Sequence, residues 1–363
     1  MRTLLPPVPF HAGMEQREAD EAETIDALRE VFLGMARTVA EAEGHAYRAV
    51  HAKGQALLKG RLKVSDALPQ ELAQGLFAAP ATYEAVVRFS SPPAEQLPDT
   101  VSTPRAIAVK ILGVSGARVA ESEEQHSQDF LMVNGPAFTS PGPKGFLRST
   151  KLLAATTERM PRTKAVISAT LRGGERLLEA AGGGSGKIKG MGGQPQTHPM
   201  GETFFSQVPF RFGSYVAKFC LRPVSATLQA LDGAPLQNIE DGQRDAIQET
   251  LASGRGHLVW ELCAQLCRDE KAMPIEDASV EWPQEQSPFI AVAELHVPPQ
   301  VSWDDAESPG VEDRLAFSPW HALEAHRPLG ALNRARKVVM AASREHRSQH
   351  NRCPLHEPVA GGQ

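Results

Sequence analysis

The segment Arg48-Ala-Val-His51-Ala-Lys-Gly54 contains residue types that could carry out chemistry on a bound ligand. A histidine exchanges a proton near neutral pH, so His51 is a candidate acid–base residue. Arg48 lies three residues earlier, and its planar guanidinium can pair with a carboxylate. A single histidine is also typical of a protein surface or core, so the function of His51 depends on the motifs around it.

Composition limits the class of protein. The chain has 363 residues, of which 41% are hydrophobic, enough for one large domain or two ordinary ones. A net charge of −5 argues against nucleic-acid partners. No apolar run is long enough to span a bilayer, and the apolar stretch after Met1 is too short for a secretory signal. The cysteines lack zinc-site spacing, which favours a reducing cytoplasm.

The chain is expected to fold as a single α+β domain over residues 1–363, with extended tails at 1–13 and 350–363. Apolar spacing predicts helices over 14–50, 145–156, 162–181 and 236–253, and from Pro328 to about Arg347. Strand patterns occur at 84–91, 105–112, 130–134, 215–221, 257–266 and 289–296. The segment after His51 is interpreted as irregular and basic. The glycine-rich stretch 182–193 lacks a Gly-Lys-Ser/Thr ending and is interpreted as a surface loop.

Four motifs occur in order across residues 48–136, and together they resemble the haem catalases. After the His51 segment come Val87-Arg88-Phe-Ser-Ser91, then Asp99-Thr100 with Pro104-Arg105-Ala-Ile-Ala-Val-Lys110, then Asp129-Phe-Leu-Met-Val-Asn134-Gly-Pro136. Later segments are similar to the shorter catalase-related proteins, whose relatives include allene oxide synthases and fatty-acid hydroperoxide enzymes. These segments are 206–213, 273–283 and 317–336.

The resemblance implies a catalase-like antiparallel β-barrel of eight strands with surrounding α-helices, and haem b between the barrel and the C-terminal helix. His51 would be the acid–base residue over the iron, and Asn134 would orient the peroxide by hydrogen bonding. The family also implies arginines that bind the haem propionates. These would be Arg48, Arg88 and Arg347, with Arg344 as the alternative to Arg347. Val50 would be the apolar neighbour of the histidine, and Phe146 would stack against the porphyrin.

The last helix departs from the family pattern, in which a tyrosinate binds the iron and an arginine one turn earlier faces it. The arginine is present as Arg336, but Met340 occupies the tyrosine position. A thioether is a neutral, soft ligand that favours ferrous iron, whereas a phenolate stabilises ferric iron. Weak catalase activity is therefore expected if Met340 is the metal ligand. Met340 is equally consistent with a core residue on an apolar helix face.

The expected function is that of a haem-dependent oxidoreductase acting on hydrogen peroxide or on an organic or fatty-acid hydroperoxide. Two alternatives remain open. His51 itself could bind the iron, giving a storage, electron-transfer or sensing protein. The fold could also be free of haem and serve as a binding protein or in specialised biosynthetic chemistry. Relatives of this kind often associate, so a homo-oligomer is also expected.

Overall fold

The structure is a computed structural model that describes residues 4–120, 122, 126–157, 195–254, 256–354 and 358–361. The predicted helix at 162–181 and the loop at 182–193 lie outside these residues. The described strands are β1 (Lys53–Val64), β2 (Thr82–Ser91), β3 (Ala106–Leu112), β4 (Ser127–Val133), β5 (Phe204–Phe205), β6 (Phe210–Phe212), β7 (Tyr215–Pro223), β8 (Leu258–Leu266) and β9 (Ile290–Val297). The described α-helices are α1 (Glu21–Glu43), α2 (Pro143–Thr157), α3 (Ala226–Gln229), α4 (Gly242–Ala252), α5 (Ser308–Arg314) and α6 (Ala331–His350).

The strands form a closed antiparallel barrel, as the resemblance implied. Eight of them are hydrogen-bonded in the order β5-β4-β3-β2-β1-β9-β8-β7, and β5 closes the ring by pairing with β7. Val133 is paired with Phe205, and Phe205 is paired with Cys220, so the short strand β5 joins the two ends. The strand β6 forms a hairpin with the other part of β7. Closure leaves no long unpaired edge between the two ends of the sheet.

The segment after His51 is a strand of 12 residues, so its interpretation as irregular was wrong. Leu58, Leu62 and Val64 are buried, whereas the basic residues between them point outward. This is the period of two expected for a strand with one buried face. Gly60 interrupts the apolar alternation, and a Cβ there would lie 2.8 Å from the His296 carbonyl oxygen of β9. The glycine therefore permits the close approach of β1 and β9.

Three of the described helices pack together, with α1 in contact with both α2 and α6. Ile25, Leu28 and Phe32 of α1 share an apolar cluster with Ala335 and Val339 of α6. None of the described helices is long and apolar enough to cross a bilayer. These three helices enclose a cavity together with β3 and β4.

Several predicted helix boundaries were wrong. The first helix is Glu21–Glu43 rather than 14–50, and it is followed by Gly44, whose φ of +72° suits a glycine C-cap. The last helix begins at Ala331, because Pro328 is still part of a β-bridge to Phe210. In the N-terminal segment, residues Ala12–Met14 form a 3-10 helix, and the amide of Val8 donates a hydrogen bond to the carbonyl oxygen of Cys267 after β8.

Candidate active site

A cavity of about 310 Å³ lies where the helices cover the barrel. Its lining includes residues of α1, α2 and α6 on one side and of β3 and β4 on the other. Most of the wall is apolar, and a volume of this size suits a small organic ligand. The larger apolar residues of the lining are Leu28, Phe32, Val50, Ile107, Leu131, Met132, Val133, Phe138, Phe146, Phe317, Trp320, Leu332 and Val339.

Two of the predicted cofactor contacts belong to this apolar wall. Val50 precedes His51, and Phe146 is on α2; both line the cavity. The ring of Phe146 is fixed by neighbours, with ring centroids 4.9 Å from Phe138 and 5.7 Å from Phe32. Because these rings contact one another, the Phe146 side chain is held in place without a ligand.

The charged residues of the lining are all cations. Among the described residues, no aspartate or glutamate lines the cavity. The cationic side chains are Arg48, Arg88, Arg336, Lys337, Arg344 and Arg347. Positive charge on an otherwise apolar wall favours an apolar ligand that carries negative groups.

His51 faces this cavity from a strained backbone position. Its φ is +55°, a left-handed conformation that is uncommon for a residue other than glycine. The Arg88 guanidinium donates a 3.0 Å hydrogen bond to the carbonyl oxygen of His51 and so helps to hold this conformation. Strain of this kind at a cavity is typical of functional positions.

The imidazole of His51 is neutral and has an unused nitrogen. Its Nδ1 is buried and has no hydrogen-bond partner in the described part of the chain. Burial, reinforced by the charges of Arg88 and Arg336, lowers the pKa of His51 to about 3. The ring is therefore uncharged at neutral pH, and its buried nitrogen is available for a hydrogen bond to a ligand.

Three of the predicted propionate-binding arginines come together around Glu312. Arg88 contacts its carboxylate at 2.5 and 3.0 Å, and Arg48 contacts it at 2.5 Å. Arg347 donates instead to the carbonyl oxygens of Glu312 and Leu315, at 2.7 and 2.9 Å. Arg48, Arg88, Arg347 and Glu312 are called the Glu312 cluster below.

Glu312 lies behind the arginines as seen from the cavity. The three arginines line the 310 Å³ cavity, whereas Glu312 lines only a second one of about 290 Å³. Burial acts to raise the pKa of Glu312, but the guanidiniums of Arg48 and Arg88 lower it to about 2. Sequence reasoning missed Glu312, because its local sequence Val-Glu-Asp carries no recognisable signal.

The remaining predicted residues of α6 lie on one face of the helix. Arg336, Met340 and Arg344 are spaced four residues apart and all line the cavity. Nη1 of Arg336 is buried without a hydrogen-bond partner in the described part of the chain, and burial lowers the pKa of this guanidinium to about 10. Arg344 lies 3.5 Å from Nε2 of His321. Arg336, Met340 and Arg344 are called the α6 stripe below.

Asn134 is not brought to the cavity, so this placement does not support its predicted contact with a bound peroxide. Its Oδ1 accepts a hydrogen bond from the amide of Arg105 at 2.9 Å, and its Nδ2 donates one to Glu202 at 2.8 Å. Val133, one residue earlier, lines the cavity instead. Successive residues of a strand point to opposite faces, so the side chains of Val133 and Asn134 diverge at the end of β4.

A buried ion pair positions a second imidazole at the cavity wall. Lys110 and Asp129 are paired in register on β3 and β4, and Nζ of Lys110 lies 2.9 and 3.0 Å from the Asp129 carboxylate. Nδ1 of His321 lies 3.1 Å from both partners, and His321 lines the cavity. Sequence reasoning missed His321, although Lys110 and Asp129 both belong to the motifs identified above.

Comparisons with known proteins support the fold. A scan of protein-family models gives no match, and a search of curated proteins gives none. Among solved structures, a fungal catalase is similar with a TM-score of 0.59 and 18% identity, and a bacterial catalase with 0.59 and 16%. Catalase A from Saccharomyces cerevisiae is similar with a TM-score of 0.60 and 18% identity.

These alignments cover 98%, 98% and 100% of this chain, and 68%, 66% and 72% of the three catalases in the same order. The chain therefore has a catalase-like fold and spans about two thirds of the length of these enzymes. At this level of identity, the likeness establishes the fold alone.

Proposed function

We propose that this chain binds haem b in the 310 Å³ cavity and acts as a haem-dependent oxidoreductase on hydrogen peroxide or an organic hydroperoxide, such as that of a fatty acid. The observation that carries the proposal is the lining of the cavity, which combines apolar walls with cationic residues and has no carboxylate among the described residues. Haem is an apolar plate with two carboxylates, so its chemistry complements this lining.

The Glu312 cluster is suited to hold the haem propionates. Arg48, Arg88 and Arg347 contribute three positive charges at the wall, and Glu312 supplies one negative charge behind them. The direct contacts thus leave an excess of positive charge facing the cavity. Guanidiniums bind carboxylates with paired hydrogen bonds, which would fix both the position and the orientation of the ligand.

His51 is proposed as the residue that moves the proton of a bound peroxide. Haem, when bound, supplies the redox-active iron. The neutral imidazole has a buried nitrogen without a partner in the described residues, so it can take a proton from the peroxide and return it to the product. Arg88 donates a hydrogen bond to the backbone carbonyl oxygen of His51. The apolar walls of the cavity limit the access of water to His51 during proton transfer.

Met340 is proposed to lower catalase activity relative to that of a tyrosinate-ligated enzyme. It lines the cavity on the α6 stripe, and the structure describes no tyrosine in the lining. A thioether brings no negative charge to the metal, so Arg336 has no anion to face on this side. The chain is therefore expected to turn over hydrogen peroxide weakly.

The proposal is tested with His51→Ala in protein expressed with haem supplied. Removal of the imidazole should lower peroxide turnover by about a hundredfold or more, because general acid–base catalysis contributes rates of that order. The Soret absorbance should persist. The matched control is His126→Ala, since His126 is exposed and outside the cavity lining.

Two results would count against the proposal. Unchanged turnover in His51→Ala would remove the assigned role of this residue. Loss of the Soret band in that variant alone would identify His51 as an iron ligand and favour a storage, electron-transfer or sensing protein.

A further inference from the structure

Arg336 is half-buried and differs from the buried arginines elsewhere in the described chain. Arg105 contacts Glu202, Arg268 contacts Glu71, and Arg334 contacts Glu15, Glu21 and Glu276. Arg336 has neither a carboxylate nor a hydrogen-bond partner among the described residues, although its Nη1 is completely buried. A cationic nitrogen held away from water without a hydrogen-bond partner is unfavourable, so this position favours the binding of an anion.

Arg344 adds a second guanidinium to the same face of α6. It lies two turns after Arg336, with the uncharged Met340 between them, and the three residues line the cavity. The nearest polar partner of Arg344 in the described chain is the imidazole of His321, at 3.5 Å, and no carboxylate contacts it. The α6 stripe therefore presents two guanidiniums to the cavity without a neutralising acid.

The apolar surroundings restrict the kind of anion that would fit. Leu332, Ala335 and Val339 of the same helix line the cavity, as do Trp320 and Phe317. An inorganic anion would leave these side chains facing empty or hydrated space. An organic acid would place its apolar body on them and its carboxylate on the guanidiniums.

We propose that the α6 stripe is a binding site for the carboxylate of an apolar organic acid, anchored by Arg336 and assisted by Arg344. The site rests on guanidiniums other than those of the Glu312 cluster, but it lies in the cavity proposed for haem, so the acid would bind the chain when haem is absent. The acid would be a substrate or an effector of the haem-free chain, and its apolar body would lie on the apolar wall of the cavity.

The test is calorimetric titration of the full chain, prepared without added haem, with hexanoate and with its neutral analogue hexanamide. Hexanoate should bind, and hexanamide should bind at least tenfold more weakly, because the carboxylate supplies the charge. Arg336→Gln should weaken hexanoate binding at least tenfold. Arg336→Lys should restore most of it, since the lysine retains a positive charge.

The control is Arg61→Gln, which removes a positive charge from an exposed position on β1 and should leave hexanoate binding unchanged. Thermal melting of each variant shows that it is folded, and Arg344→Gln provides a second variant with a smaller expected loss. Equal binding of hexanoate and hexanamide, or wild-type affinity in Arg336→Gln, would overturn the proposal. Haem binding is measured separately by the Soret test, so a failure of haem binding and a failure of hexanoate binding to the haem-free chain can be told apart.

Discussion

The two groups of arginines in the cavity are stabilised in different ways. In the Glu312 cluster, the guanidiniums of Arg48 and Arg88 contact a buried carboxylate at 2.5–3.0 Å. On the α6 stripe, Arg336 has no such partner among the described residues. Contacts within the protein therefore fix the guanidiniums of the Glu312 cluster before a ligand binds, whereas the positive charge of Arg336 would be neutralised only by a ligand. The Glu312 cluster is thus suited to position a bound anion, and Arg336 to attract one.

The largest expected effect is that of breaking the Glu312 cluster. Glu312→Gln removes the carboxylate from beside two guanidiniums and leaves them uncompensated in a buried place. The free energy of unfolding should fall by about 3–5 kcal/mol, as is typical when one partner of a buried ion pair is removed. Urea unfolding followed by circular dichroism measures this change.

The matched control is Glu285→Gln, because Glu285 is exposed. It should change the free energy of unfolding by less than about 0.5 kcal/mol. A similarly small change in Glu312→Gln would mean that the arginines do not depend on Glu312.

Acid should weaken the same cluster in a defined pH range. The pKa of Glu312 is lowered from 4.5 to about 2 in the fold, so its contribution is fully present above pH 4.5 and is lost as the pH falls toward 2. A shift of this size corresponds to about 3 kcal/mol. The free energy of unfolding of the wild type, measured with urea, should fall by this amount between pH 4.5 and pH 2. The free energy of unfolding of Glu312→Gln should not show this fall. Parallel curves for the two proteins would contradict the assignment.

Met340→Tyr would give the α6 stripe an internal anion. With haem supplied, Arg336 one turn earlier should favour the ionised phenol, and a ferric tyrosinate spectrum should appear. Catalase activity should rise at least tenfold, which corresponds to about 1.4 kcal/mol in the barrier. Met340→Leu is the control, since it keeps an apolar side chain of similar size and should show neither change. An unchanged spectrum in Met340→Tyr would mean that residue 340 does not face the iron.

The smallest effect is expected for Arg336→Gln without any ligand. Because Arg336 has no partner in the described chain, its removal breaks no ion pair and relieves a buried charge. Thermal and urea unfolding should show a change of at most about 1 kcal/mol, in either direction. Arg88→Gln should be far more destabilising, since Arg88 contacts Glu312 and the backbone of His51. Equal losses in the two variants would remove the distinction between the two groups.

The α+β class of the fold could be predicted from the sequence because the apolar patterns that indicate strands and helices extend over many residues. Strands with continuous or alternating apolar residues were predicted near their observed positions. The strand β1 was missed because Gly60 interrupts its apolar alternation, and its partners β2 and β9 supply the pairing that the local sequence does not show.

The site was predictable only in part. The convergence of Arg48, Arg88 and Arg347 was anticipated from motifs, but the acid that they share was not, since Glu312 is distant from Arg48 and Arg88 in sequence. Asn134 was predicted to contact the ligand, and this role remains a prediction; Val133, one residue earlier, lines the cavity. A shift of one residue along a strand reverses the face, and motif matching does not resolve that difference.

The most direct test of the proposed function is a titration of the purified full chain with haemin, followed by absorbance in the Soret region. The expected result is a shifted Soret band that saturates at one haem per chain and changes on reduction with dithionite. Absorbance that rises without saturation, or a spectrum identical to that of free haemin, would contradict haem binding in the cavity and would cancel the proton-transfer role proposed for His51.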